Sequence, residues 1–365
     1  MIATPMDFDE LSCPLPNTLA DHIQLGHGSG GKLTNDLIKQ LFLPAFDNNL
    51  LSALEDQATI QLNRWTESKS SSPFDAARLA FTTDSFVVRP LFFPGGDIGQ
   101  LAVHGTVNDL AVGGAEPKFL SAAFILEEGL PLTDLARIVI SMKTACEAAG
   151  VQMVTGDTKV VDRGKGDGVF ITTSGIGIVP AGRSLSIRHV QPGDCILVSG
   201  TVGDHGMSIM SVREGLEFTT VLKSDNASLN SLTRAMLAAC PGIHWMRDPT
   251  RGGVAAVLNE LVSAVNLGVK IEETALPVRP EVRAACEMLG MDPLYVANEG
   301  KLIAVVPPDQ TDRLLNTMRE HPLGANAAIL GEVTTDHPGI VVMKSVIGGE
   351  RIVTMPAGEQ LPRIC

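Results

Sequence analysis

PLTDLARIVISMKTACEAAGVQMVTGDT, residues 131–158, changes its hydrophobic period partway along. Leu135, Ile138, Val139, Met142 and Cys146 recur at helical spacing, which predicts a helix capped by Thr133 or Asp134 and ended by Gly150. VQMVTGDT follows at once and reads as a strand with a polar group, Asp157, at its carboxyl end. Helix, strand, then polar loop is the repeating unit of layered α/β and α+β folds, and ligands of open α/β sheets collect at strand carboxyl ends.

Working outward, LAFTTDSFVV (residues 79–88) predicts a strand. DIGQLAVHGTVNDLAVGG (97–114) predicts a helix starting on Asp97 and stopped by Gly113 and Gly114. Further upstream, Leu33, Leu37 and Leu41 share a helical face, and RWTESKSSSPFDAAR (64–78) reads as an exposed connection. Downstream, ITTSGIGIVP gives way to SLSIRHVQPGD, which places a boundary between Pro180 and Pro192. A second α/β half then runs through CILVSG, TVGDHG, HWMRDPTRGG, the helix VAAVLNELVSAV and the strands VKIEE, LIAVVPP and GIVVMK. The expected organisation is a proline-bearing arm at 1–20, an N-terminal domain at 21–182, a C-terminal domain at 183–355 and a mobile tail at 356–365. The tail AGEQLPRIC shows no periodicity.

The 365 residues suit two domains, and 44% hydrophobic against 19% charged residues exclude a mostly disordered chain. A net charge of −13 repels phosphate backbones and anionic lipid, so neither nucleic acid nor membrane is an expected partner. With no basic and apolar leader and no long apolar run, the chain reads as soluble and cytoplasmic. Cys13, Cys146, Cys195, Cys240, Cys286 and Cys365 are too scattered for a disulfide framework or a zinc site.

Polar groups stand where burial would cost free energy: Asp84 in an apolar strand, Asn108 and Asp109 in an apolar helix, and Asp157 at a strand end. Glu55 and Asp56 add carboxylate. Any one of these can be a cap. Together they form a hard oxygen set suited to Mg²⁺ carrying a nucleotide. GHGSGGK, residues 26–32, fails as a P-loop because Leu33 stands where Ser or Thr would bind the metal. It also fails as a dinucleotide fingerprint, and remains either a turn or a loop closing on phosphate through Gly28, Ser29, Gly30, Gly31 and Lys32. DPTRGG, with Asp248 at or near a helix cap, is a plain N-terminus or an anion site. TGDTK and NEGK supply Asp157 with Lys159 and Glu299 with Lys301 as candidate acid and base pairs. His104 shares a helix face with Asn108 and is read as a satisfied core histidine. Cys365, the last residue given, is either a frayed end or the tip of an arm reaching on the order of 30 Å from Pro356 at about 3.3 Å per residue. Arg363, two residues away, favours thiolate modestly, while the C-terminal carboxylate opposes it.

TTDSFVVRPLFFPGGDIGQLAVHGTVNDLAVGGAEP, TGDTKVV, DPTRGG, NEGK and LPRIC together resemble the HypE family of hydrogenase maturation factors, from about Asp21 to Cys365. That family groups with aminoimidazole ribonucleotide synthetase, thiamine monophosphate kinase and selenophosphate synthetase. The resemblance implies a two-domain α/β (α+β type) PurM-like fold that dimerises through its N-terminal sheets and binds ATP with Mg²⁺ between domains. It further implies Asp56, Asp84, Asn108, Asp109 and Asp157 as Mg-ATP ligands, with the 28–32 loop over phosphate. Cys365 is implied as the acceptor that the carbamoyltransferase HypF loads as an S-carboxamide, which ATP then helps dehydrate to a thiocyanate. Lys159 and Glu299 are implied to move the amide protons, and a HypC and HypD scaffold to receive the cyanide. The remaining alternatives are a kinase or synthetase of the same fold acting on a free small molecule, and a non-catalytic cysteine carrier.

Overall fold

The computed structural model describes residues 22–46, 48–61, 78–215, 222–356, 358, 361 and 363–365. The expectations for the 1–20 arm and the 64–77 connection lie outside them. In chain order the helices are α1 (Lys32–Leu37), α2 (Leu43–Phe46), α3 (Ile98–Val112), α4 (Leu132–Ala149), α5 (Asp204–Arg213), α6 (Asn230–Ala239), α7 (Gly253–Val265), α8 (Pro280–Leu289) and α9 (Thr311–Glu320).

The first sheet has the order β1-β2-β7-β5-β6, formed by β1 (Ala58–Gln61), β2 (Arg78–Phe86), β5 (Glu116–Glu127), β6 (Gln152–Val161) and β7 (Val169–Val179). The short pair β3 (Phe92–Phe93) and β4 (Gly96–Asp97) lies between β2 and α3 in the chain. Only β5 and β6 run parallel, and α4 makes the crossover that a parallel pair requires. α3 starts where the sequence predicts: the Asp97 carboxylate accepts from the amides of Gly99 and Gln100. α4 departs from expectation at its cap. Pro131, with extended ψ, occupies that position and its carbonyl accepts from Asp134 and Leu135, so neither Thr133 nor Asp134 caps. Gly150, at φ 70°, ends α4 as expected.

α3 is almost wholly buried and covers one face of this sheet. Phe81, Phe119 and Ile125 are exposed on the sheet, and edge strand β6 has exposed side chains along almost its whole length.

The second sheet, β14-β13-β10-β12-β8-β11-β9, comprises β8 (Cys195–Val198), β9 (Trp245–Arg247), β10 (Gly268–Glu272), β11 (Ile303–Val306), β12 (Ala328–Thr334), β13 (Val341–Lys344) and β14 (Glu350–Val353). Both of its faces are buried at β8 and β11, while β14 at the far edge is mostly exposed. Ile196, Val198, Ile303 and Val305 pack with α7, while Leu197, Ala304 and Val306 pack with α6 and α9. Continuous burial on two sides explains why β8 and β11 are apolar without alternation.

A further cluster joins the two halves. Phe86, Ile98 and Ile171 of the first pack with Met207, Val296 and Ala297 of the second, and Leu361 and Ile364 of the tail complete it. The tail expected to be mobile is therefore seated in this structure. Two apolar residues spaced three apart carry no recognisable period, yet both find buried positions. Among the described residues no helix is long and apolar enough to cross a membrane.

Candidate functional site

Three carboxylates from separate elements converge. Asp56 lies just before β1, Asp109 on α3 and Asp248 just after β9, and one oxygen of each lies within 4.8 Å of the others. The Thr82 hydroxyl stands 2.8 Å from the Asp56 carbonyl and 2.9 Å from Asp109 Oδ2. Arg247 pairs with Asp56 at 2.9 Å and with Glu260 at 3.4 Å.

One guanidinium does not neutralise the set. Burial raises Asp56 to about 6 against the pull of Arg247. Burial and then Asp56 raise Asp248 to about 8, while burial, Asp248 and Asp56 drive Asp109 well above the ordinary carboxylate range. Asp84 stands beside them, raised by burial with Arg251 opposing. A buried group of hard oxygen donors that cannot all ionise unaided fits a hard divalent cation such as Mg²⁺.

A cavity of about 310 Å³ adjoins Asp56, lined by Gln57, Arg78, Ser186, Arg188 and Trp245 among others. Two buried polar atoms there, Gln57 Oε1 and Trp245 Nε1, have no partner. One is an acceptor and the other a donor, which equips the wall for a polar heterocycle.

The tail brings Cys365 to a second acid. The amides of Val87 and Arg89 donate to the carbonyls of Cys365 and Arg363 at 3.1 and 3.2 Å, an antiparallel bridge centred on Val88 and Ile364. The Cys365 thiol then meets the Glu299 carboxyl. Burial first, then Asp248, Asp84 and Asp225, push Glu299 well above the ordinary range. Burial and Glu299 likewise push the thiol far up, with Arg251 opposing. Glu299 is held by its backbone, whose amide donates to Asp225 Oδ1 at 3.1 Å and whose carbonyl accepts from Asn108 Nδ2 at 3.3 Å. Its Oε1 is buried without a partner.

Several sequence-predicted residues do other work. Asn108 faces no open site, because its amide nitrogen donates to the carbonyls of Ala227 and Glu299 and its oxygen accepts from Leu229 N. Glu55 accepts from Ser186 and Ile187. Asp248 is no helix cap: Gly252, at φ 78°, precedes α7, which leaves the carboxylate free to join the cluster.

The 28–32 loop lies on the tail rather than over an open cleft. A Cβ on Gly31 would fall 2.4 Å from the Pro356 carbonyl, and the Lys32 amide donates to that same oxygen at 2.8 Å. Gly30 adopts φ 75° against Arg251, whose Nη1 donates to the Gly28 carbonyl at 2.6 Å. Ser29 Oγ donates to Gly26 O, and the Lys32 ammonium pairs with Asp36. His104 is the satisfied core histidine expected, bonded to Asn226 at 2.8 Å.

Arg363 pairs with Asp167 and does not support a Cys365 thiolate. Asp157 and Lys159 pair with each other at 2.9 Å on the exposed strand β6. Neither is among the charges that dominate at Glu299, Cys365 or the carboxylate cluster. The sequence reading passed over Thr82, Asp225 and Arg213, and it drew no role from the His205 of TVGDHG.

Residues 66–179 match the AIR synthase related protein N-terminal domain and residues 191–344 its C-terminal domain. The Cupriavidus necator carbamoyl dehydratase HypE is 53% identical over 349 residues, which cover 96% of each chain. A crystal structure of a HypE–HypF complex superposes with TM-score 0.80 at 48% identity, covering 88% of this chain and 99% of that one. HypE crystallised with ATP superposes with TM-score 0.76 at 47% identity, covering 93% and 98%.

Proposed function

Because this chain belongs to the HypE family of carbamoyl dehydratases, within the AIR synthase related proteins, we propose that it uses ATP to dehydrate an S-carboxamide carried on its own Cys365. It is an ATP-dependent enzyme of hydrogenase maturation, and HypF, found in complex with a 48% identical relative, is the partner that loads the cysteine. The HypC and HypD scaffold is the acceptor we assign to the cyanide.

The observation that carries this reading is the seat of Cys365 against a buried acid and beside a carboxylate cluster. An amide oxygen is a poor leaving group. In the reaction it takes the γ-phosphoryl group of ATP, ADP departs, and the nitrogen gives up one proton. The C–O bond then breaks, phosphate leaves with the electron pair, and loss of the second N–H proton completes the C≡N bond. Glu299 is the first proton acceptor, since among the described residues it is the carboxylate that hydrogen-bonds the Cys365 thiol, and its raised pKa makes its anion a stronger base than an ordinary carboxylate. Lys159, which stands apart from Cys365 within this chain, is assigned the second transfer as a residue reaching the cleft from a second copy.

Asp56, Asp109 and Asp248, with Asp84 beside them, would hold Mg²⁺, which when bound supplies positive charge to the nucleotide's phosphate oxygens. The cavity beside Asp56, with its unpartnered Trp245 and Gln57 atoms, is the proposed seat for the nucleoside end. The 28–32 loop and Arg251 close the tail side.

The test is the mass of the Cys365 peptide after loading by HypF with carbamoyl phosphate and ATP, before and after adding Mg-ATP to the isolated protein. Gain of one carbamoyl group followed by loss of one water is the expected result. An adduct that persists with ATP bound would leave only a carrier.

A further inference from the structure

The oxygens of Arg363 and Cys365, on either side of Ile364, accept from the 87–89 segment, and the carbonyl of Ile364 between them points away from it, toward α5. Ile364 is buried, and a buried carbonyl without a donor is costly. Its donor is His205, itself fully buried, with Nε2 at 2.7 Å.

A carbonyl only accepts, so Nε2 carries the proton. Burial lowers this histidine's pKa, with Asp225 and the Ile364 carbonyl opposing and Arg213 adding, so the ring is neutral and Nδ1 is an acceptor. Ser224 Oγ supplies the hydroxyl proton to Nδ1 at 2.8 Å and itself accepts from the Asn226 amide at 3.0 Å. The Ser224 amide is anchored on the Pro94 carbonyl, and Phe93 packs edge-on against the imidazole. Every link has one direction, which fixes the tautomer.

The same imidazole is tied to the segment bearing the acid. His205 lies in the first turn of α5, where the Gly203 amide donates to Asn298 Oδ1 at 2.8 Å and the Gly206 amide to the Ala297 carbonyl at 3.1 Å. A Cβ on Gly206 would fall 2.5 Å from Val296 and 3.0 Å from Leu361, so the start of α5, the segment leading to Glu299 and the tail are packed without slack.

We propose that His205 is the positioning residue that seats the tail: by holding the Ile364 carbonyl it sets Cys365 opposite Glu299, and it must let go before the thiol can leave to be loaded. Arg213, which donates to the carbonyls of both Arg89 and Arg363, clamps the outer side of the same bridge. The kinetic half of this proposal rests on the dehydratase reading; the seat itself does not.

The experiment compares the full chain with His205→Leu, which removes the donor at similar size, and His205→Gln, whose amide nitrogen can replace Nε2. The first readout is the alkylation rate of Cys365 by iodoacetamide, followed on its own peptide so that the other cysteines do not interfere. The second is single-turnover dehydration of loaded protein at saturating Mg-ATP, with ATP affinity measured alongside. His205→Leu is expected to label about tenfold faster and dehydrate about tenfold slower with unchanged ATP affinity, the factor one buried hydrogen bond is worth. His205→Gln should return both rates toward wild type.

Equal labelling of wild type and His205→Leu would overturn the proposal, as would equal losses in the Leu and Gln variants. If His205→Leu does not fold, Ser224→Ala decides, because it frees the imidazole without touching the tail: faster labelling supports the seat and unchanged labelling overturns it. A wild type that labels slowly but never dehydrates its adduct would sink the dehydratase reading and leave the seat standing.

Discussion

Glu299 and Cys365 lie against each other in a buried site. Burial first, then the acid, holds the thiol neutral, while burial and then Asp248, Asp84 and Asp225 raise the acid, opposed by its hydrogen bond to the thiol. A seated, unloaded Cys365 is therefore a poor nucleophile, and the same seat becomes useful only once the sulfur carries an amide. The acceptor form of Glu299 is its carboxylate, and since its pKa is raised, that form grows as pH rises. Single-turnover dehydration should climb with pH at up to about tenfold per unit until Glu299 has titrated. Glu299→Gln should lose roughly 10²–10⁴ of the rate and the pH dependence with it, while HypF still loads Cys365. A Gln variant that keeps the wild-type slope would remove Glu299 from the proton path. At this scale the sequence was partly legible: NEGK exposed Glu299 as a candidate, but its partner lies 66 positions downstream, and only the seated tail joins them. Asn108 misled for a physical reason. An amide in an apolar helix demands partners, and the sequence cannot say whether they are a ligand or the backbone of another loop, as here.

Among elements, the carboxylate cluster and the glycine loop each yield a prediction. Asp56 and Asp248 titrate at about 6 and about 8 when folded, against 3.8 as the ordinary value. The native state thus binds more protons than the unfolded chain between those limits, so apo stability is greatest on the acid side and falls as pH rises. Buried His104 and His205, lowered from 6.5, act the other way, but only up to the pH at which an unfolded histidine has lost its proton. From pH 7 to 9 the raised carboxylates lower stability, the buried thiols of Cys286 and Cys365 add to the fall as their unfolded counterparts ionise, and Asp248 alone removes about 1.4 kcal/mol. Thermal unfolding in EDTA should show the midpoint falling over that range, and Mg²⁺ should raise it more at pH 9 than at pH 7. A flat apo profile would contradict the cluster as a cation site. Gly31 makes the second case. Its backbone suits any residue, but a Cβ would strike Pro356, so Gly31→Ala should weaken tail seating by about 1–3 kcal/mol. Cys365 should then alkylate faster and dehydration of loaded protein slow by tenfold or more, with HypF loading undiminished. Helices and strands such as α3, α4 and β8 were legible because period and cap residues are local. The loop's real neighbour, Pro356, is 325 positions away and left no local mark.

At the scale of the whole molecule, one pair of sequence-predicted residues remains apart from the rest. Asp157 and Lys159 stand on β6, the open edge of the first sheet, in a strand whose side chains are almost all exposed. TGDTK announced chemistry at a strand end, but β6 runs on to Val161 and leaves Asp157 within the strand, and this chain supplies no charge from β6 to Glu299 or Cys365 among those that dominate there. An open edge flanked by exposed Phe119, Ile125 and Val160 is a surface suited to a second copy. If β6 of one subunit serves the cleft of its partner, a working site needs Glu299 from one chain and Lys159 from the other. Mixing equal amounts of Glu299→Gln and Lys159→Ala protein, with subunit exchange, would then make half the dimers mixed, each with one complete site. The recovered dehydration rate should be about a quarter of wild type, although either variant alone is inactive. If both residues act within one chain, no mixed dimer holds a complete site and the mixture stays inactive, so the recovered rate distinguishes the two arrangements directly.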